Sequence, residues 1–160
     1  MQTKPRLAVT MGDPAGIGPE IAVKTFATPD IFEKASPFVI GSVEALRTAS
    51  KAAGINLAIE AVDSVANVQT TPGAMSVLDV HPLAHDEVRV GEVSAACGEA
   101  AVRYFEASIL LAQAGDIEGI VTCPINKEAV HAAGFHGDIG HQEILARMTK
   151  APLTATLLIT

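Results

Sequence analysis

Apolar positions along this chain alternate between two periods. Short apolar runs at residues 6–10, 38–41, 57–62, 75–80 and 117–122 read as strands, and the stretches between them repeat their apolar residues at helical spacing. Residues 19–27 bring Ala22, Val23 and Phe26 onto one face. A second helix follows Ser42, a good N-cap, runs to Ala53 and stops at Gly54. The longest helical pattern begins after Gly91 and reaches Ala114, where Gly115 supplies a stop; its buried face is expected to carry Val93, Cys97, Ala101, Tyr104 and Ile109 among many small residues. Thr70-Thr71-Pro72-Gly73 marks a loop. Asn126 is placed to cap a helix ending at Gly134, and a last helix near His141 turns Ile144, Leu145 and Met148 inward. This alternation predicts an α/β fold with a largely parallel sheet flanked by helices. Residues 153–160 have the composition of a buried strand with no turn, polar tail or closing helix after them, so the chain is expected to be cut there, the alternative being a natural C-terminal strand tucked into a sheet.

Composition narrows the class. The 160 residues are one domain's worth, and 49% hydrophobic against 18% charged residues argues for a packed core rather than disorder. A net charge of −7 without a Lys/Arg cluster disfavours nucleic acid and anionic membranes as partners. No stretch approaches the ~20 apolar residues of a membrane span, and the start lacks a long apolar signal segment, so a cytoplasmic protein is expected. Cys97 and Cys123 fit no metal or redox spacing and are expected as free thiols.

The first candidate chemistry lies at Met11-Gly-Asp-Pro-Ala-Gly-Ile-Gly-Pro-Glu20. A strand, a glycine-rich turn and a helix start follow one another there, with Gly18 as a cap, Pro19 in the first turn and Glu20 at the positive end of the helix dipole. Gly12, Gly16 and Gly18 would let a ligand approach the main chain, and the backbone N–H groups would suit phosphate or carboxylate. A dinucleotide fingerprint fails because Ile21 stands where its third glycine belongs, and a P-loop fails because Ile17-Gly18 stands where Gly-Lys is needed. The same glycines would also serve a tight connection with no ligand, and spacing leaves both readings open.

A second group follows the strand ending near Val121: Thr122-Cys-Pro-Ile-Asn-Lys127. Ligands of open α/β sheets bind beyond the carboxyl ends of strands. Lys127 would lie in a helix's first turn, where a cation is disfavoured by roughly 0.3–1 kcal/mol unless an anion shares the site. A solvated lysine is the alternative. His141, at the start of the next helix, is expected neutral and able to exchange a hydrogen bond with substrate or with a loop carbonyl. His131, His136 and His141 are five residues apart, off any one helix face, which argues against a local metal triad. Pro82 argues against a zinc pair at His81 and His85.

Together with Gly140-His-Gln-Glu143, these motifs resemble the 4-hydroxythreonine-4-phosphate dehydrogenase family; the first also looks like a longer form of the start of isocitrate and isopropylmalate dehydrogenases. The resemblance spans all 160 residues and implies an isocitrate/isopropylmalate dehydrogenase-like fold, with this chain as the N-terminal α/β portion of a two-domain enzyme whose C-terminal half is absent. It implies NAD-dependent, divalent-metal-dependent oxidation of a phosphorylated hydroxy-amino acid, then decarboxylation, on the route to pyridoxal 5′-phosphate, in a cytoplasmic homodimer. His141 and Gln142 fall on the family's substrate-contacting His-Thr pair, with Gln142 departing from Thr, and Lys127 and Asn126 fall on its Pro-x-Asn-Lys segment. Cys123 stands where Ala or Gly is usual and reads as packing. The family's metal-binding histidines (for zinc, magnesium or cobalt) lie beyond the position matching Thr160, so no metal ligand is assigned here, and this segment alone is expected to be inactive. The alternatives are a paralogue acting on threonate or erythronate 4-phosphate, kept open by Gln142, and a non-catalytic phosphate-binding unit.

Overall fold

A strand covered on both faces must be apolar at nearly every position, and the run Phe38-Val39-Ile40 meets that requirement with all three side chains fully buried. It lies in β2 (Ser36–Ile40), in the middle of a five-stranded sheet with β1 (Arg6–Thr10), β3 (Ala58–Val62), β4 (Ala74–Leu78) and β5 (Gly119–Thr122). The order is β3-β4-β2-β1-β5, and every pair is parallel, with Val9 opposite Val39 on one side and Val121 on the other. The structure, a computed structural model, describes residues 4–138 and 140–159.

The helices are α1 (Gly18–Phe26), α2 (Ile31–Lys34), α3 (Val43–Ala52), α4 (Ala95–Ala114), α5 (Lys127–Ala132) and α6 (His141–Thr149). Helix α1 packs on α3, while α4 packs on β1, β2 and β5 and also on α5 and α6. From β1 the chain steps through β2 towards one edge, and from β4 it returns across the sheet to β5. Right-handed crossovers therefore put α1 with α3 on one face and α4 on the other. Being covered on two sides, α4 buries Cys97, Ala101, Val102, Tyr104, Phe105 and Ile109, more than one narrow stripe. No helix among the described residues is long and apolar enough to cross a membrane.

The elements match the expected alternation, with local corrections. Gly18 is the first residue of α1 and not its cap; the cap position is Ile17, which offers no side-chain acceptor. Ser42 does cap α3, its hydroxyl oxygen accepting from Ala45 N at 3.3 Å. Val93 precedes α4 and is 51% exposed, because the helix begins only at Ala95. The short α2 had no periodic signal. Residues 153–159 form no strand: Leu153, Leu157, Leu158 and Ile159 are 82%, 81%, 85% and 87% exposed, since no described strand pairs with this segment. Thr160, the last residue of that expected strand, lies outside the described residues, as do Met1–Thr3.

Helices α4 and α5 approach so closely that a Cβ on Gly98 would fall under 3.0 Å from the Ala129 carbonyl and from Val130 N, which are backbone and cannot rotate away. Gly98→Ala should cost about 1–3 kcal/mol by overpacking, whereas Gly137→Ala, with open space around it, should leave stability unchanged. Denaturation midpoints of the two variants test this, and equal values would refute the close contact.

Candidate functional site

The carboxyl edge of the sheet has one topological switch point. The chain leaves β1 towards α1 on one face and leaves the adjacent β5 towards α5 on the other, so the β1–α1 and β5–α5 loops flank the crevice in which open α/β sheets hold ligands. These loops carry the two motifs singled out in the sequence.

They are joined backbone to backbone. Cys123 N donates to Thr10 O at 3.0 Å, and Asp13 N donates to Pro124 O at 3.0 Å. Gly12 has φ +72°, and a Cβ there would run into the Pro124 carbonyl; a Cβ on Gly18 would collide with the Met11 carbonyl. Both positions need glycine because another stretch of protein occupies the space. Gly16 has ordinary contacts and no such need. The anion-cradle expectation is corrected accordingly for three amides: Asp13 N bonds Pro124 O, Gly16 N bonds Asp13 O, and Ala15 N bonds Asp13 Oδ1 at 2.8 Å, so none of them faces a ligand.

Asp13 is 3% exposed, and burial pushes its carboxyl up from the ordinary carboxylate value while the Ala15 N–H pulls it down. Nearby, at the end of β1, the Thr10 hydroxyl is buried with no hydrogen-bond partner among the described residues. The sequence held no signal for it.

On the other side of the crevice, Asn126 caps α5: its Oδ1 accepts from Glu128 N at 2.9 Å and Ala129 N at 3.2 Å. Lys127 is then the exposed first residue of α5, and no ion pair holds it among the described residues. An exposed cation at the positive end of a helix retains its attraction for an anion.

His141 and Gln142 sit at the start of α6 behind Gly140. The His141 ring packs edge-on against Phe105 of α4 at 4.7 Å, and its Nε2 is buried without a hydrogen-bond partner among the described residues. Burial lowers its pKa below the ordinary imidazole value, which makes the ring neutral at pH 7. The Gln142 amide instead faces the 151–159 segment, with Nε2 donating to Thr154 Oγ1 at 3.2 Å and Oε1 accepting from Thr156 Oγ1 at 3.4 Å. The structure thus brings Gly12, Asp13 and Gly18 beside the β5–α5 loop, leaves Gly16 on the cleft between α1 and α3, and sets α5 and α6 on the common support α4. No hydrogen bond joins His141 or Gln142 to Asn126 or Lys127 among the described residues.

A contact absent from the sequence reading fixes the approach to His141. Arg147 of α6 grips Asp138 with Nε to Oδ1 at 3.1 Å and Nη2 to Oδ2 at 2.7 Å, and reaches Glu106 Oε1 on α4 at 2.8 Å. The two carboxylates push the guanidinium's pKa further up. Partners nine and forty-one residues away leave no local pattern. A cleft of about 280 Å³ between α1 and α3, walled by Pro14, Gly16, Pro19, Ala45, Ala49 and Val90, contains none of Asn126, Lys127, His141 or Gln142. No group of three or more His, Cys, Asp or Glu side chains converges as a metal site among the described residues.

A parallel sheet covered by helices on both faces, with glycine-dependent loops at its switch point, defines an α/β protein. The family model for "Pyridoxal phosphate biosynthetic protein PdxA" matches residues 33–160, and the chain belongs to that family. It is similar in structure to a 4-hydroxythreonine-4-phosphate dehydrogenase from Burkholderia phymatum, with a TM-score of 0.90 and 34% identity over 95% of this chain and 46% of that one. A Klebsiella pneumoniae protein of the same name aligns with a TM-score of 0.84 and 37% identity over 92% of this chain and 45% of that one. The D-threonate 4-phosphate dehydrogenase of Cupriavidus necator is 36% identical over 155 residues, 97% of this chain and 46% of that protein. The fold is isocitrate dehydrogenase-like, and the chain spans about half the length of these relatives.

The raised pKa of Asp13 makes the folded state hold its proton more tightly than the unfolded one. Stability therefore falls as pH rises from the ordinary carboxylate value of 3.8 through the raised one. Asp13→Asn keeps an acceptor for Ala15 N and removes the charge, so it should be more stable than wild type at pH 7, with the gap narrowing towards pH 4. Denaturant unfolding at both values measures it; a gap that does not change with pH would contradict the burial of a carboxylate.

Proposed function

We propose that this chain is the N-terminal α/β portion of a two-domain dehydrogenase that oxidises a small phosphorylated hydroxy acid with NAD and a divalent metal, as a cytoplasmic homodimer. The observation that carries the reading is His141: family membership is joined to a neutral imidazole at a helix start whose buried Nε2 has no partner among the described residues. A nitrogen withdrawn from water and left unpaired costs free energy unless a ligand takes it.

In this reading His141 exchanges a hydrogen bond with the substrate, and the exposed Lys127 ammonium attracts its phosphate. Asn126 fixes where α5 begins. Gly12, Asp13 and Gly18 form the floor of the crevice rather than a phosphate cradle, with Gly16 on its far side towards α3. No group of three or more metal-ligating side chains converges at the crevice among the described residues, so the catalytic metal, like the dinucleotide, would be held by residues outside them, and no step is derived through either. The segment alone would be inactive.

Two substrates follow from the relatives' names. One is 4-hydroxythreonine 4-phosphate, whose oxidation gives a β-keto acid that loses carbon dioxide on the route to pyridoxal 5′-phosphate. The other is D-threonate 4-phosphate, favoured by the name of the Cupriavidus necator relative; Gln142 at the place of the family's usual Thr keeps it open, together with the related erythronate 4-phosphate. A non-catalytic phosphate-binding role would fit neither turnover.

Turnover of both substrates by the complete protein, measured side by side, separates these readings, and neglect of both would remove the dehydrogenase proposal. His141→Gln should lower kcat/KM by about 10–100-fold, the worth of one hydrogen bond to a charged ligand. Lys127→Ala should raise KM for the phosphorylated substrate more than for its dephosphorylated analogue; equal weakening would take Lys127 out of the phosphate site.

A further inference from the structure

We propose that His131 and His136 form a chelating site for a divalent transition-metal ion of the zinc, nickel and copper class, apart from the crevice and independent of the function proposed above. The two rings meet with Nδ1 to Nδ1 at 3.1 Å and lie at the protein surface. Their spacing of five residues rules out a common helix face, but α5 ends between them. Gly134 takes φ +91°, which turns the chain back so that the second ring reaches the first.

The turn is held from within. Gly134 N donates to His131 O at 2.9 Å, Phe135 N to Val130 O at 3.2 Å and His136 N to Gly134 O at 3.1 Å. Phe135, between the two histidines, packs against the cluster of Val102, Phe105, Val130 and Ile144, with the Arg103 guanidinium 5.5 Å from its ring centre. Neither backbone position has to move for the rings to meet.

The rings meet edge-on, with centroids 4.2 Å apart and 62° between their planes, and two ring nitrogens this close are stabilised by an electrophile shared between them. A proton on one ring would make an N–H···N bond, which at a water-exposed position replaces bonds to solvent and adds little. A metal ion uses both lone pairs. With metal–nitrogen bonds of about 2.0–2.1 Å, nitrogens 3.1 Å apart subtend about 100° at the metal, between the right angle of square-planar sites and the tetrahedral angle. Imidazole pairs suit zinc, nickel and copper, and reject the oxygen-preferring magnesium and calcium. No third His, Cys, Asp or Glu joins the pair among the described residues, so water completes the shell. An ion here would tie the end of α5 to the loop that leads into His141.

The test is equilibrium dialysis of the complete, chelator-stripped protein against Ni²⁺ or Zn²⁺. His131→Gln and His136→Gln should each lose one equivalent per chain relative to wild type, with His81→Gln unchanged. Copper(II) electron paramagnetic resonance gives a second readout: a two-nitrogen coupling pattern present in wild type and absent from both variants. Equal stoichiometry in wild type and both variants, or no such spectrum in wild type, would leave a hydrogen-bonded pair only and overturn the proposal.

Discussion

The crevice depends on how closely two stretches of main chain meet at the carboxyl edge of the sheet. At Gly12 and Gly18 the β1–α1 loop has no side chain because the Pro124 and Met11 carbonyls fill the places where one would sit. That contact extends the β1–β5 ladder through Cys123 N to Thr10 O and Asp13 N to Pro124 O. It sets where α5 begins, and so where Asn126 and Lys127 stand. Moving either loop outward by the width of a methyl group would break the ladder and shift the lysine together.

Helix α4 is the second constraint. It lies on the sheet along one side and receives α5 and α6 on the other, so the two helices bearing Lys127 and His141 are positioned by a common support although few contacts join them to each other. Its composition follows from this double duty. Gly98 admits the backbone of α5, and Phe105 gives the His141 ring an aromatic wall. The Arg147 grip on Asp138 and Glu106 then fixes the rotation of α6 on that support.

Much of this was legible along the sequence because it is local. The Ser42 and Asn126 caps and the stop at Gly115 each rest on residues within one turn of one another and stand where the pattern put them, and the five strands of the sheet lie within a few residues of their expected places. The glycine-rich turn was found by its spacing, but its partner was not, since the atoms that demand glycine at position 12 belong to residues 123 and 124, more than a hundred positions away. The Arg147 contacts, nine and forty-one positions apart, and the Thr10 hydroxyl, unpaired among the described residues, likewise left no local pattern. The apolar run after Leu153 had the composition of a strand, but a strand exists only against a neighbour, and composition does not supply one.

The two cysteines carry a further consequence. Both are buried, and burial pushes both thiols up, so neither presents a thiolate to solvent in the folded protein. Cys97 lies at the start of α4 and Cys123 beside the loop junction at the end of β5. Alkylation of either therefore requires the chain to open at that place. The protein holds two built-in chemical reporters, one on its central helix and one at the mouth of the sheet, whose relative labelling rates reveal which part loosens first.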